Sequence, residues 1–473
     1  MENNFAGTEE HFKKKLKEAR KFKGLVYVVA FTAALAGLLF GLDIGVISGA
    51  LPFIAAQFKA GTQAQEFVVS SLLAGAVIGT LISGLISSKY GRKNALLVSA
   101  VVFAVGALFS SMATSTMMLI IIRVFLGMAV GIASFTAPLY LSEMAPQRIR
   151  GALISMYQLM ITIGILMAFI SDTCLSYGGH WRAMLGVLVI PATFMFIGVL
   201  LLPKSPRWLV LAGRRKRARE VLSKLRHEDE VEGELIEIQK TLEVKQDGFQ
   251  LLRGSRQFRK VLLLGIGLQI VQQLTGINVI MYYAPKIFKI AGFTTTTQAM
   301  WGTVLVGLIN VLATFIAIAF VDRIGRKPIL FAGFVVMGLS MGALGLMFHI
   351  GMQVSQAIQF AAIGALLVFI TGFAMSAGPI IWVICSEIYP LSGRDLGITT
   401  STATNWLCNA VVGATFLTLL NVLGPAYTFW LYGSLNILFI LFLLLFVPET
   451  KGVSLEKIES NLMSGKRLVR IGR

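Results

Sequence analysis

Two groups of residues sit where apolar surroundings make them expensive, and both could do chemistry. The first is Asp43, in Phe40-Gly41-Leu42-Asp43-Ile44-Gly45, near the middle of the otherwise apolar stretch 25–51. A charge at the centre of a membrane helix costs about 2.5 to 3.5 kcal/mol on insertion scales, so such a residue faces an interior cavity and finds a partner. Within the first half of the chain, the buried charge expected to answer it is Arg123, in Ile122-Arg123-Val124. Burial and a nearby guanidinium act on a carboxyl in opposite senses, so a modest movement between the two carries the group through its titration. That is what a proton-binding site in a transport path requires. The alternatives are a structural ion pair and a carboxyl held protonated for packing.

The second group is neutral: Gln269-Ile270-Val271-Gln272-Gln273-Leu274-Thr275-Gly276-Ile277-Asn278, followed by Tyr282 and Tyr283. Amides both donate and accept hydrogen bonds, which suits a solute with many hydroxyls. An anion would call for extra Arg or Lys, and a cation for more carboxylates. Gln158, Asn310, Trp382, Asn405 and Trp406 are further polar or aromatic residues within apolar stretches. For each alone, an interhelical hydrogen bond or an interfacial aromatic explains the residue as well as a ligand contact does. The cluster carries more weight than its members. No Walker loop, Gly-x-Ser-x-Gly or His-Glu-x-x-His occurs and there are four histidines, so neither an enzyme nor an ATP motor is indicated.

The elements that must position these residues are membrane spans. With 473 residues, 56% of them hydrophobic, a mean hydropathy of +0.77 and 14% charged, the chain reads as an all-α polytopic membrane protein. Twelve apolar spans are expected, at 25–51, 66–88, 94–113, 116–140, 151–173, 183–202, 261–285, 298–320, 328–350, 357–385, 395–421 and 425–447. The net charge of +19 would suggest nucleic acid in a soluble protein, but its placement argues otherwise. If both termini are cytoplasmic, the inner segments hold the basic amino-terminal tail, Lys89, Arg92, Lys93, Arg148, Arg150, the central segment, Arg323, Arg326, Lys327, Arg394 and the basic carboxyl-terminal tail. The outer segments hold Lys59, Arg182, Lys286 and Lys289. This is the positive-inside pattern.

The halves echo each other. Gly91-Arg92-Lys93 returns as Gly325-Arg326-Lys327, Ser142-Glu143 with Arg150 returns as Ser386-Glu387 with Arg394, and Gly41-Leu42-Asp43 returns as Gly276-Ile277-Asn278. Landmarks recurring in pairs at nearly one offset argue for duplication, and repeated six-helix halves around a midplane site are a transporter architecture. The expected division is 1–203 for a first bundle, 204–260 for a cytoplasmic helical linker and 261–473 for a second bundle. Within the linker, 214–226 and 230–242 read as amphipathic helices lying on the membrane surface, or alternatively as a solvated linker. Gly75-x-x-x-Gly79 and Gly127-x-x-x-Gly131 permit close helix approach. Cys174, Cys385 and Cys408 have no paired or metal-type spacing and read as packing residues.

At these residues the chain resembles the sugar porter family of the major facilitator superfamily, and most closely its bacterial galactose and arabinose proton symporters. The resemblance rests on Gly91-Arg92-Lys93, on Asp322-Arg323-Ile324-Gly325-Arg326-Lys327, and on the amide row from Gln272 to Asn278. It rests also on Pro203-Lys204-Ser205-Pro206-Arg207-Trp208 and Pro448-Glu449-Thr450-Lys451-Gly452, which close the two halves. It implies the major facilitator fold, alternating access, and a sugar held mainly by the second bundle through Gln272, Gln273, Asn278, Asn310, Trp382 and Asn405, with Gln158 and Phe40 from the first. Tyr282, Gly378 and Trp406 join the expected substrate-binding set. The resemblance further implies that Asp43 is the protonation site and Arg123 its partner. Arg92, Glu143, Arg150, Arg326, Glu387, Arg394 and Glu449 would form cytoplasmic ion pairs that latch an outward-facing state.

Three departures bear on this. Lys204 replaces the acid usual in the motif that closes the first half, which removes an ion pair expected with Arg92. Ser88 stands where the loop motif often has Asp. Asn405 and Ile165 occupy positions that are glutamines in xylose carriers, which leaves a site of the galactose type. The expected function is proton-coupled import of a neutral monosaccharide, a galactose- or glucose-type hexose ahead of a pentose, across a bacterial inner membrane. Expected partners are the monosaccharide, the proton and the lipid bilayer, with no nucleic acid and no cofactor, in a monomer. A facilitative uniporter in which Asp43 is structural, and a non-transporting sugar sensor, are the alternatives.

Overall fold

The computed structural model describes residues 24–472, apart from 147–148, 244–247, 294 and 353. Most of the basic amino-terminal tail and Arg148 therefore lie outside the described residues. The first half comprises α1 (Gly24–Phe58), α2 (Thr62–Tyr90), α3 (Arg92–Ser111), α4 (Thr116–Met144), α5 (Arg150–Ser176) and a sixth span made of α6 (Trp181–Gly186) and α7 (Val189–Leu201). Four short helices follow: α8 (Pro206–Leu211), α9 (Arg215–Leu225), α10 (Glu228–Glu243) and α11 (Gly248–Gly254). The second half has a seventh span split into α12 (Arg256–Leu274) and α13 (Ile277–Ile290), then α14 (Thr296–Ile324) and α15 (Arg326–Ile350). A tenth span is split into α16 (Gln356–Met375) and α17 (Ala377–Ile388), and α18 (Arg394–Leu423), α19 (Pro425–Phe446) and the tail helix α20 (Leu455–Met463) complete the chain. Among the described residues, 12 helical stretches are long and apolar enough to cross a membrane, six on each side of the insert.

Several helices outrun their apolar stretches. α1 continues to Phe58 rather than stopping near 51 and α4 to Met144 rather than 140, because a helix needs about 20 residues to cross the hydrocarbon yet propagates into polar sequence beyond it. Two breaks have no signature in the hydropathy. Gly276, at φ 96°, ends the helical run of the seventh span in a left-handed conformation that a side chain would resist. Ser376, at φ −129° and ψ −90°, separates the two parts of the tenth.

Small residues set the spacing within the first half. Gly75 and Gly79 of α2 face the backbone of Val124 and Met128 on α4, while Gly127 and Gly131 face the backbone around Leu72 and Ala76. A second seam runs down α1, where Gly37, Gly41, Gly45 and Gly49 meet Tyr157, Ile161, Ala168 and Asp172 of α5 in turn. A four-residue repeat keeps one face of a helix, and removing the side chains there lets two backbones touch.

The insert departs from expectation. The apolar faces of α9 and α10 do not lie on a membrane: Ala218 and Leu222 of one and Val231 and Leu235 of the other close on Trp208 and Leu209 of α8 in a small core of their own. Arg226 pins this unit to the first half, donating to the carbonyls of Met144 and Ala145 at 2.9 Å each and pairing with Glu234 at 2.7 Å. Nor is it a free linker. Of the cysteines, Cys385 is buried, whereas Cys174 is exposed rather than packed.

The seams yield a test. Gly127→Leu places carbon against the Leu72 carbonyl and the Ala76 amide, which cannot yield, so it should cost about 3 kcal/mol. The expected outcome is a clear drop in melting temperature of the detergent-solubilised protein; an unchanged melting curve would contradict the packing described.

Candidate functional site

Asp43 occupies the middle of α1. Its neighbours in the glycine seam, Gly41 and Gly45, face α5; two residues away along a helix is about 200° around it, so Asp43 points to the opposite side, toward the interior and α4. Asp43 and Arg123 are each 1% exposed. Arg123 Nη2 lies 3.7 Å from Asp43 Oδ2, while its Nε donates to the Val68 carbonyl of α2 at 2.6 Å. Neither carboxyl oxygen of Asp43 has a hydrogen-bond partner among the described residues, nor does Arg123 Nη1. The guanidinium is anchored and the carboxyl is loose: this is an ion pair without a hydrogen bond, the weakest form a buried pair takes.

The amides gather at the two helix breaks. Gln272 stands in the last turn of α12, where its Nε2 donates to the carbonyls of Ala377 (2.8 Å) and Gly378 (3.1 Å) at the start of α17. These carbonyls open the second broken span. Asn405 of α18 donates through Nδ2 to Gln269 Oε1 (2.6 Å) and Gln272 Oε1 (2.7 Å). Asn278, in the first turn of α13, donates to Gln273 across the Gly276 break. The polar groups thus satisfy one another in the absence of solute, and each bond is exchangeable for one to a hydroxyl.

Aromatic residues join the two clusters. Phe40, one turn before Asp43, meets Trp406, beside Asn405, edge to face at 5.1 Å between centroids. The indole Nε1 of Trp406 is buried without a partner. Tyr282 of α13 lies within electrostatic reach of both Asp43 and Arg123, and its hydroxyl accepts from Asn409 Nδ2 at 3.2 Å.

The expected residues therefore divide. Gln272, Gln273, Asn278, Gly378 and Asn405 form the amide row, and Phe40, Trp406 and Tyr282 link it to Asp43 and Arg123. Asn310 is buried on α14 and Gln158 is half-buried on α5, but no hydrogen bond among the described residues ties either to the row; Trp382, on α17, is 37% exposed. Polar residues that went unread in the sequence include Asn409, one turn beyond Asn405, and the acids Glu66 and Asp172, all buried. Acids inside a span are themselves the signal.

On the insert side, the expected latch takes a different form. Arg92 pairs with Glu143 at 2.8 Å, and Ser205 donates to the other oxygen of the same carboxylate. Lys204, the replaced acid, lies over the Trp208 ring at 4.6 Å, and Arg92 is held without it. In the second half Arg326 pairs with Glu387 at 3.0 Å. Both pairs act within one half. Arg394 donates to the Tyr389 carbonyl at 3.4 Å rather than to a carboxylate, and the side chain of Arg150 lies outside the described residues. Glu449 caps α15, accepting from the amides of Arg326 (3.1 Å), Lys327 (2.9 Å) and Lys451 (2.9 Å). Burial alone would raise its pKa, but these amides and that of Thr450 outweigh it and hold the carboxyl below the usual range. A lowered folded-state pKa stabilises the fold above the ordinary carboxyl value of about 4.3 and is lost as pH falls through the folded value. Glu449→Gln should therefore lower the melting temperature at pH 7, with the gap to the parent closing as pH falls below about 4; a gap constant with pH would contradict the cap.

Comparison with known proteins accords with this geometry. The family model described as "Sugar (and other) transporter" matches residues 29–462. The chain is 60% identical over 457 residues to the galactose-proton symporter of Escherichia coli (strain K12), covering 96% of this chain and 98% of that one. It is 53% identical to the arabinose-proton symporter of the same organism, covering 97% of each. Among solved structures, the xylose transporter XylE of E. coli in a partially occluded inward open conformation aligns with a TM-score of 0.80 at 31% identity, over 91% of this chain and 99% of that one. Twelve spans in two related halves, a buried acid–arginine pair and a row of neutral amides at two broken helices are carried by a chain that belongs to the sugar transporter family, with the major facilitator fold.

Proposed function

We propose that this chain is a proton-coupled symporter that imports a neutral monosaccharide by alternating access, and that Asp43 carries the proton. The observation that supports this most is the Asp43 carboxyl, buried 3.7 Å from an anchored guanidinium with no hydrogen bond of its own, one aromatic contact away from the amide row. One proton moving through roughly 150 mV releases about 3.5 kcal/mol, enough for roughly 300-fold accumulation of a neutral solute. The row itself holds no charged group. It therefore favours hydroxyls over ions, and Gln272, Gln273, Asn278 and Asn405 are the main sugar ligands, with Asn310, Trp382, Gln158, Phe40, Tyr282, Gly378 and Trp406 around them.

The sugar is a galactose- or glucose-type hexose ahead of a pentose. Asn405 and Ile165 in place of the glutamines of xylose carriers support this, as does the 60% identity to a galactose-proton symporter. The chain divides into bundles 1–203 and 261–473 with the linker 204–260 between them. It acts as a monomer spanning a bacterial inner membrane, both termini cytoplasmic, with lipid against the exposed apolar faces. In the cycle, Asp43 takes a proton from outside and loosens from Arg123, sugar binds, the bundles rock, and both are released inside. The charged groups of the insert side, Arg92, Glu143, Arg150, Arg326, Glu387, Arg394 and Glu449, steady the outward-facing state by exchanging partners between the bundles, since the pairs Arg92–Glu143 and Arg326–Glu387 seen here each close within one half.

Asp43→Asn should abolish uphill accumulation in vesicles while leaving sugar exchange; retained accumulation rejects the proton role. Gln272→Ala removes three side-chain hydrogen bonds from the row and should weaken sugar binding at least about tenfold. An unchanged dissociation constant by equilibrium binding removes Gln272 from the site. Competition of unlabelled galactose, glucose, arabinose and xylose against labelled galactose ranks the substrates, and a pentose displacing galactose most strongly overturns the assignment.

A further inference from the structure

The halves touch at the end of the molecule remote from the insert, which the proposed topology places outside. There α2 and α18 run antiparallel, and their contacts follow one register. Val69 and Leu73 pack on Gly413, Glu66 meets Thr418, and Thr62 meets Asn421. The carboxylate of Glu66 is 3% exposed and makes a two-point contact: Oε1 accepts from the Thr418 backbone amide at 2.7 Å and Oε2 from the Thr418 hydroxyl at 2.8 Å. A backbone amide inside a helix ordinarily serves the carbonyl four residues earlier. Five residues before Thr418, the Gly413 carbonyl accepts from the Tyr283 hydroxyl of α13 at 2.7 Å. Side chains from two other helices thus hold the backbone of α18 between 413 and 418. Lys286, also on α13, lies within electrostatic reach of Glu66.

We infer that Glu66 is a positioning residue for the transport cycle: its carboxylate clasps Thr418 across the two bundles and holds the outer gate shut in the inward-facing state. Two further contacts close the same end, Ser176 with Thr297 at 3.3 Å and Trp301 with Tyr177 at 3.3 Å, but both are neutral. The Glu66 contact is charge-assisted, from a carboxylate that is itself buried, and such bonds are about twice as strong as neutral ones. When α2 and α18 part, Glu66 meets water and loses both bonds to Thr418, so the clasp is either made or broken rather than graded. Because it favours one state over the other, removing it shifts the population.

The inference rests on alternating access but not on the proton role of Asp43, and the test separates the two. Spin labels at Gln63 and Val422, both exposed, report the distance between the outer ends of α2 and α18 in a background with Cys174, Cys385 and Cys408 replaced by Ala, in nanodiscs without sugar. Glu66→Ala should raise the ratio of outside-open to outside-closed populations at least about tenfold, equivalent to 1.4 kcal/mol. Glu66→Gln, which keeps the shape but turns one acceptor into a donor facing Thr418, should shift it the same way and serves if the Ala variant fails to fold. Thr418→Val keeps the amide bond and should give a smaller shift in the same direction. Unchanged distance distributions in a folded Glu66 variant overturn the inference, whatever the transport assays show for Asp43.

Discussion

The structure depends on a buried ion pair that is held apart. At 3.7 Å and an effective dielectric of about 20, the gross attraction between Asp43 and Arg123 is about 4.5 kcal/mol. That is close to the roughly 3.5 kcal/mol one proton delivers across an energised membrane. A hydrogen-bonded fork would bind the carboxylate more tightly and oppose its protonation, while a more distant guanidinium would leave a bare acid costly to ionise at all. Anchoring Arg123 to the Val68 carbonyl fixes the cation on the frame of α2 and α4 and leaves Asp43, on α1, as the partner free to change state. The glycine seam that lets α1 sit against α5 is what turns Asp43 toward that frame.

The second bundle answers with chemistry of the other kind. Its two broken spans expose backbone carbonyls at Ala377 and Gly378 and set glutamine and asparagine side chains against them, so that polar groups lie at membrane depth only where they line the interior. The row satisfies itself, and each of its bonds is of a kind a hydroxyl could replace. Phe40 against Trp406 and Tyr282 beside the ion pair bring the two chemistries into contact across the bundles. These contacts give the proposed proton and sugar sites a route to one another through packed side chains.

The spans, the duplication and the Asp43–Arg123 pair were legible because each leaves a local mark: apolar length, a repeated Gly-Arg-Lys, an acid amid leucines. The amide row was legible as composition, but its geometry was not, since the break at Gly276 falls within the row itself and the break at Ser376 within an apolar span, and both depend on what packs around them. The insert misled for a physical reason. An amphipathic helix states that it must bury one face without stating against what, and here α8, α9 and α10 bury their faces in one another. The charged residues beside Gly91 and Gly325 were legible as a set, within which Arg92 pairs with Glu143 and Arg326 with Glu387, but which carboxylate each would meet was not. Glu449 turns to backbone amides, Ser205 supports Glu143, and Lys204 lies over Trp208. Glu66 and Asp172 were missed because they stand near the ends of their spans, where a carboxylate resembles a solvated flank until the neighbouring helix covers it.

The most direct measure of the central claim is the proton itself. When saturating sugar is added to purified protein in weakly buffered detergent solution with a pH indicator, the account predicts proton uptake approaching one per sugar bound at a pH where Asp43 starts unprotonated, and no uptake in Asp43→Asn although sugar still binds. Uptake that persists in Asp43→Asn, or sugar binding by the parent with no exchange of protons at any pH, would contradict it.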